Sequence, residues 1–138
     1  MTSYLLKNIT VLDKSSEHNG KKVNVLIENG KIAKIGTAVE DAAAETIDFS
    51  GSYLAPGFCD LYVNINDPGF EYREDITSVA NAAIAGGFTT ICATADNHPI
   101  TQTKAQVEYI LNNAKNTPVS ILPIGAVTEN FDGKTPTE

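Results

Sequence analysis

The sequence predicts an α/β protein with a β-rich first part and a second part in which strands alternate with helices. Two observations carry this prediction. Residues 4–55 contain short, alternating apolar segments separated by turn residues, whereas later apolar segments switch between strand-like and helix-like spacing. Pro56-Gly57 stands between the two patterns. We therefore expect a β-rich unit over residues 1–55 and an α/β unit over residues 56–138.

The first unit is predicted to consist of five short strands, at residues 4–13, 23–28, 31–35, 46–49 and 52–54. Asn29-Gly30 predicts a tight hairpin, because both central residues of such a turn need a positive φ. His18-Asn19-Gly20 indicates another turn. Residues 41–45 are expected to form a surface connection or one helical turn.

The second unit is predicted as strand, helix, strand, helix, strand, at residues 58–65, 75–85, 88–95, 103–116 and 119–127. This order is typical of a parallel sheet covered by helices. Gly86-Gly87 suits the end of the first helix, and Glu74 and Asp75 suit its start, where negative charge is favoured. The second helix is expected to bury one apolar face, made of Val107, Ile110, Leu111 and Ala114.

Composition excludes several functional classes. The net charge is −7 and the lysines are scattered, so the clustered basic face that nucleic acid binding requires is not expected. No apolar run approaches the ~18 residues of a membrane span, and no secretion signal is recognised, so we expect a cytoplasmic protein without a membrane partner. Cys59 and Cys92 lie in apolar runs and are expected to be buried thiols.

The first strand of the second unit carries a polar pattern. Alternation predicts that Leu61, Val63 and Ile65 face the helices. The opposite face would then hold Asp60, Tyr62, Asn64 and Asn66. These side chains either hydrogen-bond one another or line a ligand pocket. The candidates for pocket residues are Asp60, from this strand, and His98.

A site for a hard cation is an alternative interpretation of the acidic residues. Carboxylate oxygens are the ligands that such cations prefer. The residues that would supply them are Asp60, Asp67, Asp96 and His98.

Two segments resemble dihydroorotases of the amidohydrolase superfamily: PGFCDLYVNINDPGFEYRED at 56–75 and AGGFTTICA at 85–93. The resemblance extends through 106–110 and 122–126 and covers essentially the whole chain. It implies a small β-sandwich followed by a (β/α)8 TIM-type barrel, of which these residues would form the first three strands and two helices. A whole barrel needs about 250 residues, so we expect an incomplete barrel, the N-terminal portion of a longer protein.

The resemblance also implies zinc chemistry on a cyclic amide. In the family, a His-x-His pair at the end of the first barrel strand binds zinc, and the metal lowers the pKa of bound water. Here those positions are Tyr62 and Asn64. A phenol with a pKa near 10 and a neutral amide are poor zinc ligands. We therefore predict that the metal motif is lost and that this chain holds neither cofactor nor catalytic residue.

Two positions that the resemblance implies for substrate contact have also changed. The family's arginine is Asn66, which lacks a charged fork, and the asparagine of its Met-Pro-Asn-Thr run is Asp96, whose charge would repel an anionic substrate. Scaffold positions still match the family: Pro56, Gly57, Asp60, Pro68, Gly69, Gly86 and Gly87. The family's other ligands, a lysine, two histidines and an aspartate, lie beyond residue 138.

We therefore predict a non-catalytic, dihydroorotase-like protein of pyrimidine biosynthesis, a pseudoenzyme with a scaffold or regulatory role. The resemblance implies aspartate transcarbamoylase as a partner. It also implies a homo-oligomer or association with the rest of the barrel. The alternative is an active hydrolase with a non-standard metal site that converts dihydroorotate to carbamoyl-aspartate.

Overall fold

The computed structural model describes residues 3–137, which form two compact units that divide between Pro56 and Gly57. The strands of the first unit are β1 (Ser3–Val11), β2 (Lys22–Glu28), β3 (Lys31–Gly36), β4 (Glu45–Asp48) and β5 (Tyr53–Leu54). The elements of the second unit are β6 (Phe58–Val63), α1 (Ile76–Ala85), β7 (Phe88–Ala93), α2 (Lys104–Ala114), β8 (Ser120–Pro123) and a short 3-10 helix (Glu129–Phe131). The mixed α/β class is confirmed.

The first unit is one sheet with the strand order β3-β2-β1-β4, in which β5 also pairs with β1. Asn29 and Gly30 have φ values of 52° and 74°, and they join the antiparallel strands β2 and β3, as predicted for the hairpin. The second sheet of the predicted sandwich is not found among the described residues. Because β4 and β5 both run parallel to β1, at successive positions along it, they extend the same sheet and do not form a second one.

The second unit is a parallel sheet, β6-β7-β8, covered by α1 and α2. Its strands end earlier than predicted, at Val63, Ala93 and Pro123. The buried core combines residues from every one of these elements or from directly beside them: Ile65, Ile76, Val79, Ala80, Ile91, Ala93, Ile110, Val119 and Ile121. Strand β7 lies in the middle, so within residues 57–137 β6 and β8 are the sheet edges.

Both helices begin with reciprocal side-chain caps. The Asp75 carboxylate accepts a hydrogen bond of 2.7 Å from the Ser78 backbone N–H, and the Ser78 hydroxyl accepts one of 3.0 Å from the Asp75 N–H. The Ser78 N–H also holds the pKa of Asp75 below its ordinary value. Thr103 and Gln106 form the same arrangement at α2. At the end of α1, Gly87 takes a φ of 82°, which suits glycine.

A bulge in β6 changes which side chains face the helices. Asp60 pairs with Ile91, and Val63 pairs with Ala93. Two residues of β6, Leu61 and Tyr62, therefore stand opposite one residue of β7. The pairing puts Asp60 in the same row as Ile91, on the helix side, where it lines a groove beside α1.

The alternation predicted for this strand was therefore wrong at two positions. Leu61 faces away from the helices and is 71% exposed, and Asp60 does not share a face with Tyr62. Other predicted core residues also differ, because Leu111 and Cys59 are exposed and Cys92 is half-buried. Among residues 3–137, no helix has the length and apolar character needed to cross a membrane.

Candidate functional site

The polar residues at the carboxyl ends of β6 and β7 form one hydrogen-bonded group. The side-chain amide nitrogen of Asn64 lies 2.8 Å from Asp96 Oδ2 and donates to it. The other carboxylate oxygen of Asp96 accepts a hydrogen bond from the Thr94 hydroxyl. Adjacent parallel strands end at the same edge of the sheet, which brings together residues 32 positions apart. Asn64 and Asp96, predicted from sequence as altered site residues, thus make direct contact.

Both polar atoms of the Asn64 side chain are engaged. Its Oδ1 accepts a hydrogen bond of 3.1 Å from the backbone N–H of Asn66, while its nitrogen donates to Asp96. An N–H can only donate and a carboxylate can only accept, so these two partners fix the orientation of the amide. Asn64 therefore acts as a bridge between the two loops that follow β6 and β7.

Asn66 contributes through its backbone. It has a φ of 56°, a left-handed conformation that asparagine tolerates better than most residues. Its carbonyl accepts a hydrogen bond of 2.8 Å from the Phe70 N–H. Asn66, which stands where the resemblance places the family's arginine, is thus a turn residue that shapes the loop after β6.

Tyr62 lies on the open face of the sheet, with 78% of the residue exposed. Its backbone N–H donates a hydrogen bond of 3.0 Å to Asp60 Oδ1. Because the bulge interrupts the pairing of β6 with β7 here, the Asp60 carboxylate provides an acceptor at the irregular position. Asp60 stabilises the bulge that presents Tyr62.

A pocket of about 410 Å³ lies beside these residues. One wall consists of Tyr62, Thr94 and Asp96, and the other of residues after β8, namely Ile124, Val127 and Phe131. Sequence reasoning missed the second wall, because it extended the last strand to residue 127. The strand ends at Pro123, and the chain turns back as the Ala126 N–H bonds to the Thr101 carbonyl at 2.8 Å. Gly125 inside the supposed strand was the available signal.

The other two residues predicted for a pocket lie elsewhere. Asp60 faces α1, as the bulge requires. The His98 ring lies beside Phe70, with 6.2 Å between the ring centroids, and its backbone carbonyl packs against Gly69. Neither residue is among those that line the pocket with Tyr62 and Asp96.

Asp67 has a role that the sequence did not indicate. This buried carboxylate accepts a hydrogen bond of 2.9 Å from the Tyr109 hydroxyl and one of 3.3 Å from the Ile76 N–H. The bond from Tyr109 to Asp67 is the main cause that raises the pKa of the Tyr109 phenol, and burial adds to it. Asp67 thus connects the loop after β6 to the start of α1 and to the middle of α2.

The residues present do not fit a metal. Within residues 3–137, no three His, Cys, Asp or Glu side chains come together in a way that could hold an ion. Of the four residues considered for a hard cation, Asp60 faces α1, Asp67 binds Tyr109, Asp96 binds Asn64 and His98 packs on Phe70. That interpretation is wrong for this chain. Zinc is no better matched, because an exposed phenol and a neutral amide occupy the two predicted ligand positions, and neither is a usual zinc ligand.

Comparisons with a family model and with known proteins both point to dihydroorotases. The family model described as "Dihydro-orotase-like" matches residues 51–138. A dihydroorotase of Trichlorobacter lovleyi is 40% identical over 131 residues, which are 94% of this chain and 31% of the relative. A dihydroorotase of Aquifex aeolicus is 39% identical over 135 residues, which are 97% of this chain and 32% of the relative. The chain therefore spans just under a third of the length of these relatives.

Solved structures of two hydantoinases are similar to this chain. The L-hydantoinase (dihydropyrimidinase) from Arthrobacter aurescens matches with a TM-score of 0.77 and 26% identity, over 93% of this chain and 28% of that protein. A D-hydantoinase matches with a TM-score of 0.73 and 29% identity, over the same shares of the two chains.

Proposed function

Because the chain belongs to the dihydroorotase-like family, we propose that it is a member that does not hydrolyse dihydroorotate. It serves pyrimidine biosynthesis in the cytoplasm as a scaffold or regulatory partner. The observation that carries this proposal is the Asn64 side chain, whose two polar atoms are both occupied by Asp96 and Asn66. The only atom of this amide that could bind zinc is its oxygen, a neutral donor that already accepts a backbone N–H, whereas the usual zinc ligands are imidazole nitrogen, thiolate and carboxylate.

Two further residues support the same proposal. Tyr62 offers a phenol where the family has an imidazole, and the side chains that zinc usually takes from proteins are those of His, Cys, Asp and Glu. Asp96 places a negative charge at a position where the family resemblance implies contact with a substrate, and dihydroorotate is an anion. Repulsion between the two charges opposes substrate binding.

The direct experiment combines metal analysis of the whole protein with an assay of dihydroorotate hydrolysis. We expect no stoichiometric zinc and no turnover above the uncatalysed rate. Stoichiometric zinc together with turnover would overturn the proposal in favour of an active hydrolase with a non-standard site.

Restoring the histidines tests the cause of the loss. We expect the double variant Tyr62→His, Asn64→His to bind zinc at least about tenfold more tightly than the parent, since even residues that only support metal ligands change affinity by that factor. Zinc affinity is measured by competition with a chromogenic chelator. The control is Tyr72→His, Asn81→His, which makes the same replacements at exposed positions of the same unit. Equal zinc binding by both double variants would show that the loss lies elsewhere.

An exposed aromatic cluster supports the proposed partner role. The Arg73 guanidinium lies 5.1 Å from the centre of the Phe70 ring and 5.4 Å from that of Tyr72. Tyrosine and arginine are over-represented among residues that dominate protein interfaces. We propose aspartate transcarbamoylase as the partner, and this loop as part of the contact.

Association is tested by sedimentation of the whole protein with aspartate transcarbamoylase at micromolar concentration. We expect a complex that Tyr72→Ala weakens and that Tyr53→Ala, a matched exposed tyrosine of the first unit, leaves unchanged. Two components that sediment independently would contradict the partner role.

The open face of the second sheet supports further association. Leu61 and Leu122 both lie on it with exposed side chains. Exposed apolar surface of this kind marks sites where more polypeptide packs. We propose that the rest of a barrel or a second copy covers this face. Sedimentation of the protein alone distinguishes a monomer from an oligomer.

A further inference from the structure

The pocket beside Asn64 combines one carboxylate with two aromatic rings. Asp96 and Tyr62 lie on one wall, and Phe131 lies on the other; Tyr62 and Phe131 are 78% and 53% exposed. Ile124 and Val127 add apolar surface. Exposed apolar side chains grouped in this way mark ligand grooves and other interaction sites, and here they border a charged group.

The charge of Asp96 is not neutralised by a basic side chain. In the part of the chain that the structure describes, Asp96 takes part in no ion pair, and no lysine, arginine or histidine lines the pocket. Its two hydrogen bonds come from neutral donors, Asn64 and Thr94. These bonds orient the carboxylate, yet each oxygen keeps a second lone pair for another donor.

The Phe131 ring is held in place by an unusual backbone. Phe131 has a φ of 57° and Asn130 one of 50°, and the left-handed region is unfavourable for a bulky side chain. Two hydrogen bonds hold the turn, from the Phe131 N–H to the Thr128 carbonyl at 3.2 Å and from the Asn130 N–H to Gln102 Oε1 at 2.7 Å. Strained residues of this kind are concentrated at ligand sites.

From these observations we propose that the pocket binds an organic cation, an ammonium or amidinium group carried on a small apolar body. The charged nitrogen meets the Asp96 carboxylate, and the body lies against Tyr62 and Phe131. A cation is attracted both by a carboxylate and by the face of an aromatic ring, so the two features select the same ligand. Anions of the dihydroorotate type are disfavoured by the same charge.

This inference rests on the proposed function, because a metal ion at Tyr62 and Asn64 would repel a second cation. The two ideas still fail separately. Zinc found in the protein would overturn the proposed function. A zinc-free protein without preference for cations would overturn only the present inference.

The experiment is an NMR titration of the whole protein with three probes that share one ring: benzylammonium, benzyl alcohol and benzoate. Amide signals of Thr94, Asp96 and Phe131 report binding at the pocket. We expect the cation to bind at least about tenfold more tightly than benzoate, with the alcohol between them. Equal affinity of the cation and the alcohol would show that only the ring is bound, and tighter binding of benzoate would reverse the assignment. Either result overturns the proposal.

Two variants with matched controls locate the binding. Asp96→Asn keeps a side chain that can bond to Thr94 but removes the charge, and we expect it to lower affinity for the cation at least about fivefold. Asp41→Asn, a partly exposed aspartate of the first unit, should have no effect.

Tyr62→Leu provides a second variant at an exposed position where folding is not at risk. It should also lower the affinity for the cation, whereas Tyr53→Leu in the first unit should not. If neither Asp96→Asn nor Tyr62→Leu changes the affinity, the pocket does not bind the cation and the inference is wrong.

Discussion

The Tyr109 hydroxyl lies 2.9 Å from Asp67 Oδ1 and donates to it, which connects helix α2 with the loop that follows β6. That loop also carries Asn66 at its start and reaches the N-cap of α1 at its end. Asp67 is buried and receives a second hydrogen bond from the Ile76 N–H. The Asp67 carboxylate therefore connects the loop beside the candidate site to both helices.

We predict that Tyr109→Phe lowers the free energy of unfolding by about 1–2 kcal/mol, because a buried carboxylate loses a donor that nothing replaces. Urea denaturation followed by circular dichroism measures the change. Tyr72→Phe removes a hydroxyl from an exposed residue of the same unit and should change little. Equal stability of the two variants would mean that the bond contributes nothing.

The same bond predicts a dependence on alkaline pH. The pKa of Tyr109 is raised in the folded protein, chiefly by its hydrogen bond to Asp67. A raised pKa means that the contribution to stability is complete below the unfolded value near pH 10 and is lost as pH rises through the folded value. The stability difference between the parent and Tyr109→Phe should therefore be constant at neutral pH and shrink above about pH 10. Denaturation midpoints measured from pH 7 to 11 test this, and a difference that grows with pH would contradict it.

Gly69 is predicted to tolerate no side chain. It has a φ of 110°, and a Cβ there would overlap the backbone oxygen of His98. We expect Gly69→Ala to cost about 3 kcal/mol or more, at the upper end of overpacking, since a backbone oxygen cannot rotate away. Gly133→Ala is the control, with a φ of 69° but open space around it, and should cost about 1 kcal/mol. Similar costs would show that backbone conformation alone, and not the contact, matters.

The N-cap of α1 predicts a dependence on acidic pH. The Ser78 N–H lowers the pKa of Asp75 in the folded protein. A lowered pKa means that the contribution is present above the unfolded value and is lost as pH falls below about 4. Asp75→Ser retains a capping oxygen without the charge. We expect the melting temperatures of this variant and the parent to lie closer together at pH 3 than at pH 7. A difference in melting temperature that grows in acid would contradict this prediction.

Local patterns in the sequence were sufficient for much of the fold. Asn29-Gly30 determined a hairpin because only two residues and their φ angles are involved. Asp75 with Ser78, and Thr103 with Gln106, start helices for equally local reasons. The meeting of Asn64 with Asp96 was foreseeable too, since neighbouring parallel strands end at one edge.

Features that depend on pairing between distant segments were not predictable. The bulge in β6 exists only relative to β7, so alternation alone assigned Asp60 and Leu61 to the wrong faces. The contact between Asp67 and Tyr109 joins residues 42 positions apart, and no local pattern indicates it. The pocket wall that contains Phe131 depends on where β8 ends, which the apolar run through residue 127 concealed.

The bulge also means that β6 could lose one residue without losing the site. Leu61 and Tyr62 together occupy one step of the ladder, so the loss of either one would make the strand regular from Asp60 to Val63. Val63 would still stand opposite Ala93, so the residues after it would keep their faces. Asn64 would still meet Asp96. A single deletion here would remove one of the two side chains that the bulge presents on the open face and would leave the rest of the site in place.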